Sequence, residues 1–116
     1  MKITHISQVP VAPVTLPDAA GCACRVALSA RDGAPTMALR VFEVAPGGHT
    51  PLHRHPYEHE IYVLNGAGTV WRDGQEAPLH PGDVLLIPAD EPHQFKNTGA
   101  GTFQFICLIP VQFQKC

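Results

Sequence analysis

The stretch Gly47-Gly48-His49-Thr50-Pro51-Leu52-His53-Arg54-His55-Pro56-Tyr57-Glu58-His59-Glu60-Ile61-Tyr62-Val63-Leu64-Asn65-Gly66 holds four of the chain's seven histidines. His53 and His55 are two apart, so on an extended strand both imidazoles project from one face, an arrangement by which a β-strand chelates a metal. His59 and Glu60 follow as candidates for a further ligand. The stretch closes on Asn65-Gly66, which between apolar runs is a strong hairpin signal.

Outward from this stretch, the chain reads as short strands separated by turns. Its 116 residues include 12 Pro and 10 Gly, with 45% hydrophobic and 16% charged residues. Such a composition suits many punctuated strands and is poor material for long helices. Strands are expected at Cys22 to Ala30, Thr36 to Val44, Thr69 to Arg72, Gln75 to Leu79, the apolar run Val84 to Pro88, His93 to Asn97 and Thr102 to about Val111. Arg31-Asp32-Gly33, Ala45-Pro46-Gly47-Gly48, Asp73-Gly74 and Pro81-Gly82-Asp83 supply turns. The total is about nine or ten strands, the spacing of a sandwich or barrel. Residues 1–20 read as an extended arm, since Pro10, Pro13 and Pro17 oppose a helix. The arm either lies across its own barrel or adds to a partner's sheet, and the second arrangement gives a homodimer.

The chain is long enough for one domain with an ordinary core. A formal charge of −2, from 8 basic and 10 acidic residues without a run of either sign, gives no sign of a nucleic-acid partner or an anionic membrane surface. No signal-peptide h-region and no run of 18 apolar residues occurs, so a soluble, cytoplasmic protein is expected. In that compartment Cys22, Cys24, Cys107 and Cys116 are expected as thiols, and Cys22-x-Cys24 as two ordinary ones. His5, His49 and His80 read as surface or turn residues, and Arg54 as a solvated charge, while Arg40 could orient a carboxylate at the barrel mouth.

Two ordered motifs make the sequence resemble the cupin superfamily of small jelly-roll β-barrels. The family's first motif, Gly-x5-His-x-His-x3-4-Glu-x6-Gly, is matched by Gly47, His53, His55 and Gly66. Its second, Gly-x5-Pro-x-Gly-x2-His-x3-Asn, is matched by Gly82, Pro88, His93 and Asn97, with Asp90 where the family usually has Gly. Fifteen residues separate Gly66 from Gly82, and the likeness spans about residues 36–110. The resemblance implies an all-β, single-domain jelly-roll barrel with an internal metal.

The family's glutamate position falls at 59 or 60 when counted forward from His55, and at 59 when counted back from Gly66. Strand parity agrees: if Ile61 and Val63 face inward, His59 does too and Glu60 points away. The expected ligands are therefore His53, His55, His59 and His93, with Glu60 in place of His59 as the alternative. This set resembles a smaller cupin group in which four histidines bind manganese; iron, nickel, copper and zinc are the alternatives on ligand chemistry. Four neutral imidazoles cancel none of a divalent ion's charge, so oxygen-donor or anionic ligands should be drawn to it. Ligand histidines must be neutral, and metal affinity is expected to fall below about pH 6.

On the last strand, Phe103, Phe105, Cys107 and Ile109 share one face and Gln104, Ile106 and Leu108 the other, and parity leaves open which is inner. The resemblance implies a pocket walled by Ile61, Phe95, Phe105 and Cys107. Three functions compete. One is a metal-dependent oxidoreductase or dioxygenase that activates dioxygen or peroxide on a small apolar or aromatic substrate. The second is a redox-neutral isomerase or decarboxylase of a small carbonyl acid, for which Tyr62 and Glu58 are the weak proton-transfer candidates. The third is a non-catalytic small-ligand-binding cupin.

Overall fold

Proline and glycine punctuation divides the chain into nine strands in the computed structural model, which describes residues 1–115. They are β1 (Ala12–Pro13), β2 (Ala20–Leu28), β3 (Met37–His49), β4 (His59–Asn65), β5 (Gly68–Arg72), β6 (Gln75–Leu79), β7 (Val84–Ile87), β8 (Gln94–Asn97) and β9 (Phe103–Pro110). The helical elements among the described residues are short 3-10 turns at Ile6–Gln8, Ala30–Asp32 and Val111–Phe113. No helix among these residues is long and apolar enough to cross a membrane. Cys116 lies outside the described residues.

The strands form one curled antiparallel sheet in the order β6-β5-β8-β3-β9-β4-β7, with β2 on β3 and β1 on β2. This is the expected all-β jelly-roll arrangement. At Asp73-Gly74 both residues have positive φ, 50° and 79°, and Arg72 faces Gln75 in the register. A two-residue loop with left-handed φ at both positions matches the right-handed twist of the flanking strands, which is why Asp-Gly sits there.

Alternation along β9 decides its inner face: Phe103, Phe105, Cys107 and Ile109 are buried, and the residues between them are not. Phe105 stacks against Phe42 at 5.4 Å and packs on Phe95 at 4.6 Å and Phe103 at 5.3 Å. Burial of each such ring contributes about 1.5–3 kcal/mol, so this inner face anchors the core.

Within the N-terminal arm, Ala12 and Pro13 pair with Cys24 and Ala23 of the chain's own β2. Arg25 holds it further by donating to the Val9 carbonyl at 2.6 Å while pairing with Glu43 at 2.8 Å. The prolines do not prevent the single 3-10 turn at Ile6–Gln8, which ends before Pro10 and is capped by His5.

The strand expected at Cys22 to Ala30 is shifted to Ala20–Leu28, with Ala30 in a 3-10 turn, and two further features differ from the sequence reading. The strand expected to stop at Val44 continues to His49 as β3, because an irregularity opposite Ala20 and Cys22 absorbs Ala45-Pro46-Gly47-Gly48 without ending the pairing. Gly47, at φ 79°, supplies the bend. Residues 50–58 are not a continuous strand: His53 makes one antiparallel bridge with His93, and His55 lies in the loop.

Candidate metal centre

Backbone pairing across two loops creates the site. His53 and His93 exchange both amide-to-carbonyl hydrogen bonds, at 3.1 and 2.9 Å. Beside them Thr50 N donates to the Phe95 carbonyl at 2.9 Å and Phe95 N to Thr50 Oγ1 at 2.8 Å. The Asp90 amide donates to the His55 carbonyl at 2.6 Å, and the Leu52 amide to Asp18 of the arm at 3.0 Å. Together these bonds clamp the histidine loop against the segment carrying His93.

His53, His55 and His93 each offer one ring nitrogen within 4.8 Å of the others, and the two Nε2 atoms of His53 and His55 are 3.2 Å apart. His59 is not part of that mutually close trio. Its ring nevertheless packs on the cluster, 4.8 Å from the His55 ring and 5.0 Å from the His93 ring. It faces inward at 5% exposure, while Glu60, its neighbour, is exposed.

Hydrogen bonding fixes the direction of two of these rings. His93 Nδ1 lies 2.9 Å from the Glu91 carbonyl, which only accepts, so the proton sits on Nδ1 and Nε2 keeps its lone pair. His59 Nδ1 lies 3.2 Å from Cys107 Sγ, and its Nε2 is buried with no hydrogen-bond partner in the protein. A buried, unpartnered imidazole nitrogen beside three converging imidazoles is the donor chemistry of a divalent transition-metal site. The residues present therefore fit such an ion.

Electrostatics keep the donors ready. Burial, followed by repulsion from neighbouring imidazoles and Arg40, lowers His53 and His55 to about 4. The same causes in the same order push His59 to about 2. His93 is also lowered by burial, against the opposing hydrogen bond to Glu91. All four are neutral at physiological pH, as metal ligands must be.

The residues expected to wall the pocket, Ile61, Phe95, Phe105 and Cys107, are all buried in the barrel core. Phe95 meets the His93 ring at 6.2 Å, and Cys107 touches His59 directly. Cys22 and Cys24 are likewise buried, and no two of Cys22, Cys24 and Cys107 form a disulfide with each other. His5 and His80 are exposed and His49 is half-buried beside Thr50 and Gln94, away from the trio. Tyr62 and Glu58, the proton-transfer candidates, are exposed, and so is Arg54.

Two features were not legible beforehand. Arg40 does not stand at the barrel mouth; it is buried, with Nη2 2.9 Å from Cys107 Sγ and its guanidinium over Phe42 at 4.8 Å. Its alternation with Ala38 and Val44 along β3 was the available signal. Tyr57 forms a parallel stack with His55 at 4.8 Å on one side and Phe113 at 4.4 Å on the other, so the C-terminal 3-10 turn braces the histidine loop. Nothing in the sequence joins residues 57 and 113.

The fold and the site define a class: a small jelly-roll barrel with imidazoles converging inside it. The chain belongs to the cupin family, whose domain model, described as "Cupin domain", matches residues 40–109, more than half its length. Among solved structures it is similar to the polyketide cyclase RemF from Streptomyces resistomycificus. That match has a TM-score of 0.91 and 36% identity, covering 96% of this chain and 80% of that one. It is 34% identical to 1-methylthio-D-xylulose 5-phosphate methylsulfurylase of Rhodospirillum rubrum over 69% of this chain and 51% of that protein. Quercetin 2,3-dioxygenase of Bacillus subtilis is 40% identical over 53% of this chain and 19% of its own length. The chain thus spans about half or less of the length of these curated relatives, whose roles differ widely.

Proposed function

We propose that the chain is a metal-dependent oxidoreductase in which His53, His55, His59 and His93 hold one divalent ion, manganese in first place, and in which a small apolar or aromatic substrate is oxidised by dioxygen or a peroxide. The observation that carries the reading is the buried Nε2 of His59, without a partner and next to three converging imidazoles. When bound, such an ion supplies Lewis acidity and, for manganese or iron, electron transfer toward dioxygen or a peroxide. The chain's own residues do the rest. Phe95, Phe105, Ile61 and Cys107 exclude water and offer an apolar wall. His93 and His59 are oriented by Glu91 and Cys107. Glu58 and Glu60, the carboxylates nearest the histidines in sequence, are exposed, which leaves this wall poor in proton-transferring groups and favours oxidation over proton abstraction. The likeness to a quercetin dioxygenase supports the same direction.

The match to a polyketide cyclase along nearly the whole chain favours a second reading, redox-neutral ring closure of an oxygen-rich substrate at the same centre. Metal analysis and paramagnetic resonance of protein purified without added metal identify the ion. Calorimetric titration then separates the ligand sets: His59→Ala should weaken binding strongly, and Glu60→Gln should leave it unchanged. The reverse pattern would sink the four-histidine assignment. Turnover of an alkene or a flavonol by the loaded protein, dependent on dioxygen or added peroxide, supports oxidation; turnover of a polyketide-type substrate equally fast without oxidant supports cyclisation.

A further inference from the structure

Cys107 receives two contacts whose combination has a direction. It lies on β9 at 1% exposure, opposite Arg40 in the β3–β9 register. Its Sγ is 2.9 Å from Arg40 Nη2 and 3.2 Å from His59 Nδ1. A guanidinium only donates, so the sulfur accepts on the Arg40 side. On the His59 side there are two arrangements. Either the thiol proton goes to Nδ1, or an Nδ1 proton goes to the sulfur.

These arrangements have opposite results at the far end of the ring. A neutral imidazole carries one proton. With that proton on Nδ1, Nε2 keeps its lone pair on a ring that packs against those of His55 and His93. With the proton on Nε2, that nitrogen is a buried N–H with no acceptor and cannot bind a metal, and an orphaned buried donor is costly. Arg40 occupies a lone pair of the sulfur and holds it against Nδ1, and the unpartnered Nε2 disfavours the other tautomer, so the geometry selects Nδ1–H. His93 achieves the same outcome through a backbone carbonyl; behind His59 a thiol anchored by Arg40 stands in that place.

We propose that Arg40 and Cys107 are positioning residues that hold His59 in its Nδ1–H tautomer and so make its Nε2 the fourth ligand of the metal. The proposal rests on the four-histidine reading above and assigns a role to a buried arginine and a buried thiol that the ligand set leaves unexplained.

The tautomer is measured without metal, by two-bond proton–nitrogen correlation spectra of the histidine side chains in the apo protein. The wild type should show His59 as Nδ1–H. Arg40→Met and Cys107→Ala should move it toward Nε2–H, with the His93 pattern unchanged. In calorimetric titration with Mn²⁺, Cys107→Ala should raise Kd about 10- to 100-fold, the usual range for removing a partner behind a metal ligand. Cys107→Ser, of nearly the same shape and able to accept, should recover part of the loss. An Nε2–H pattern in the wild type overturns the proposal without recourse to any variant. Wild-type Kd in both folded Arg40→Met and Cys107→Ala overturns it as well. Failure of the wild type to bind Mn²⁺ or any other divalent transition metal counts instead against the four-histidine reading, and with it the ligand half of the proposal, while the spectra still decide the tautomer half.

Discussion

Asp90 illustrates how a departure from the family pattern is accommodated by one residue. It stands where related barrels have Gly, and it adopts φ 64°, a region that Asp tolerates better than most residues. Its amide donates to the His55 carbonyl, so the position ties the histidine loop through its backbone rather than its side chain. Asp90→Gly should therefore be neutral or stabilising by up to about 1 kcal/mol, whereas Asp90→Val should destabilise by about 1–3 kcal/mol; urea midpoints at unchanged slope measure both. The histidines make a pH prediction of definite sign. His53 and His55 fall to about 4 in the fold, below the ordinary value of 6.5, so between those limits the unfolded chain binds more protons. Stability without metal is full above about pH 6.5 and declines as pH falls toward about 4. The same shifts move the metal prediction. Imidazoles already neutral at pH 6 do not exchange protons for metal there, so affinity should hold to lower pH than the reference value suggests, until the fold itself is weakened. Titration of metal affinity and of the urea midpoint over pH 4–7 checks both halves.

Elements carry the next level of constraint. The hairpin β5–β6 and the strand β8 bring Gly68 against the Phe103 ring, where an added Cβ would meet Phe103 and the Lys96 carbonyl at 2.6 Å each. Neither a packed ring nor a backbone carbonyl yields easily, so Gly68→Ala should cost about 1–3 kcal/mol and lower the melting temperature, even though alanine is the mildest of substitutions. Strand positions were mostly readable because alternation and turn chemistry are local: Gln75–Leu79 and the Asp73-Gly74 turn lie where their residues place them, and the run from Val84 loses only Pro88. The extension of β3 through Ala45-Pro46-Gly47-Gly48 was not, since those residues normally end a strand and here a partner strand with an irregular register carries them along. The loop of residues 50–58 misled in the opposite sense. Two histidines two apart suggest a strand, but a single bridge to His93 and the clamp from Asp90 suffice to converge their rings.

Across the whole molecule, convergence of the imidazoles would link any ion bound there to folding. Four imidazoles from two separated segments meet only in the native barrel, so an ion that binds there stabilises the fold by mass action. At a free concentration 100 times Kd the gain should be about 2.7 kcal/mol. Differential scanning calorimetry should show the melting temperature rising with Mn²⁺ and returning on chelation; His53→Ala should abolish the response. The motif spacing around His53, His55 and His93, the inward parity of His59 and the all-β class could be read from the chain by itself, because side-chain alternation and glycine or proline conformations are properties of neighbouring residues. The inner face of β9, the burial of Arg40 against Cys107, and the stack of Phe113 on Tyr57 and His55 were decided only by the tertiary structure. Both faces of β9 are apolar enough to be core, and which one turns inward depends on the register it takes between β3 and β4, set by pairing between segments far apart in sequence.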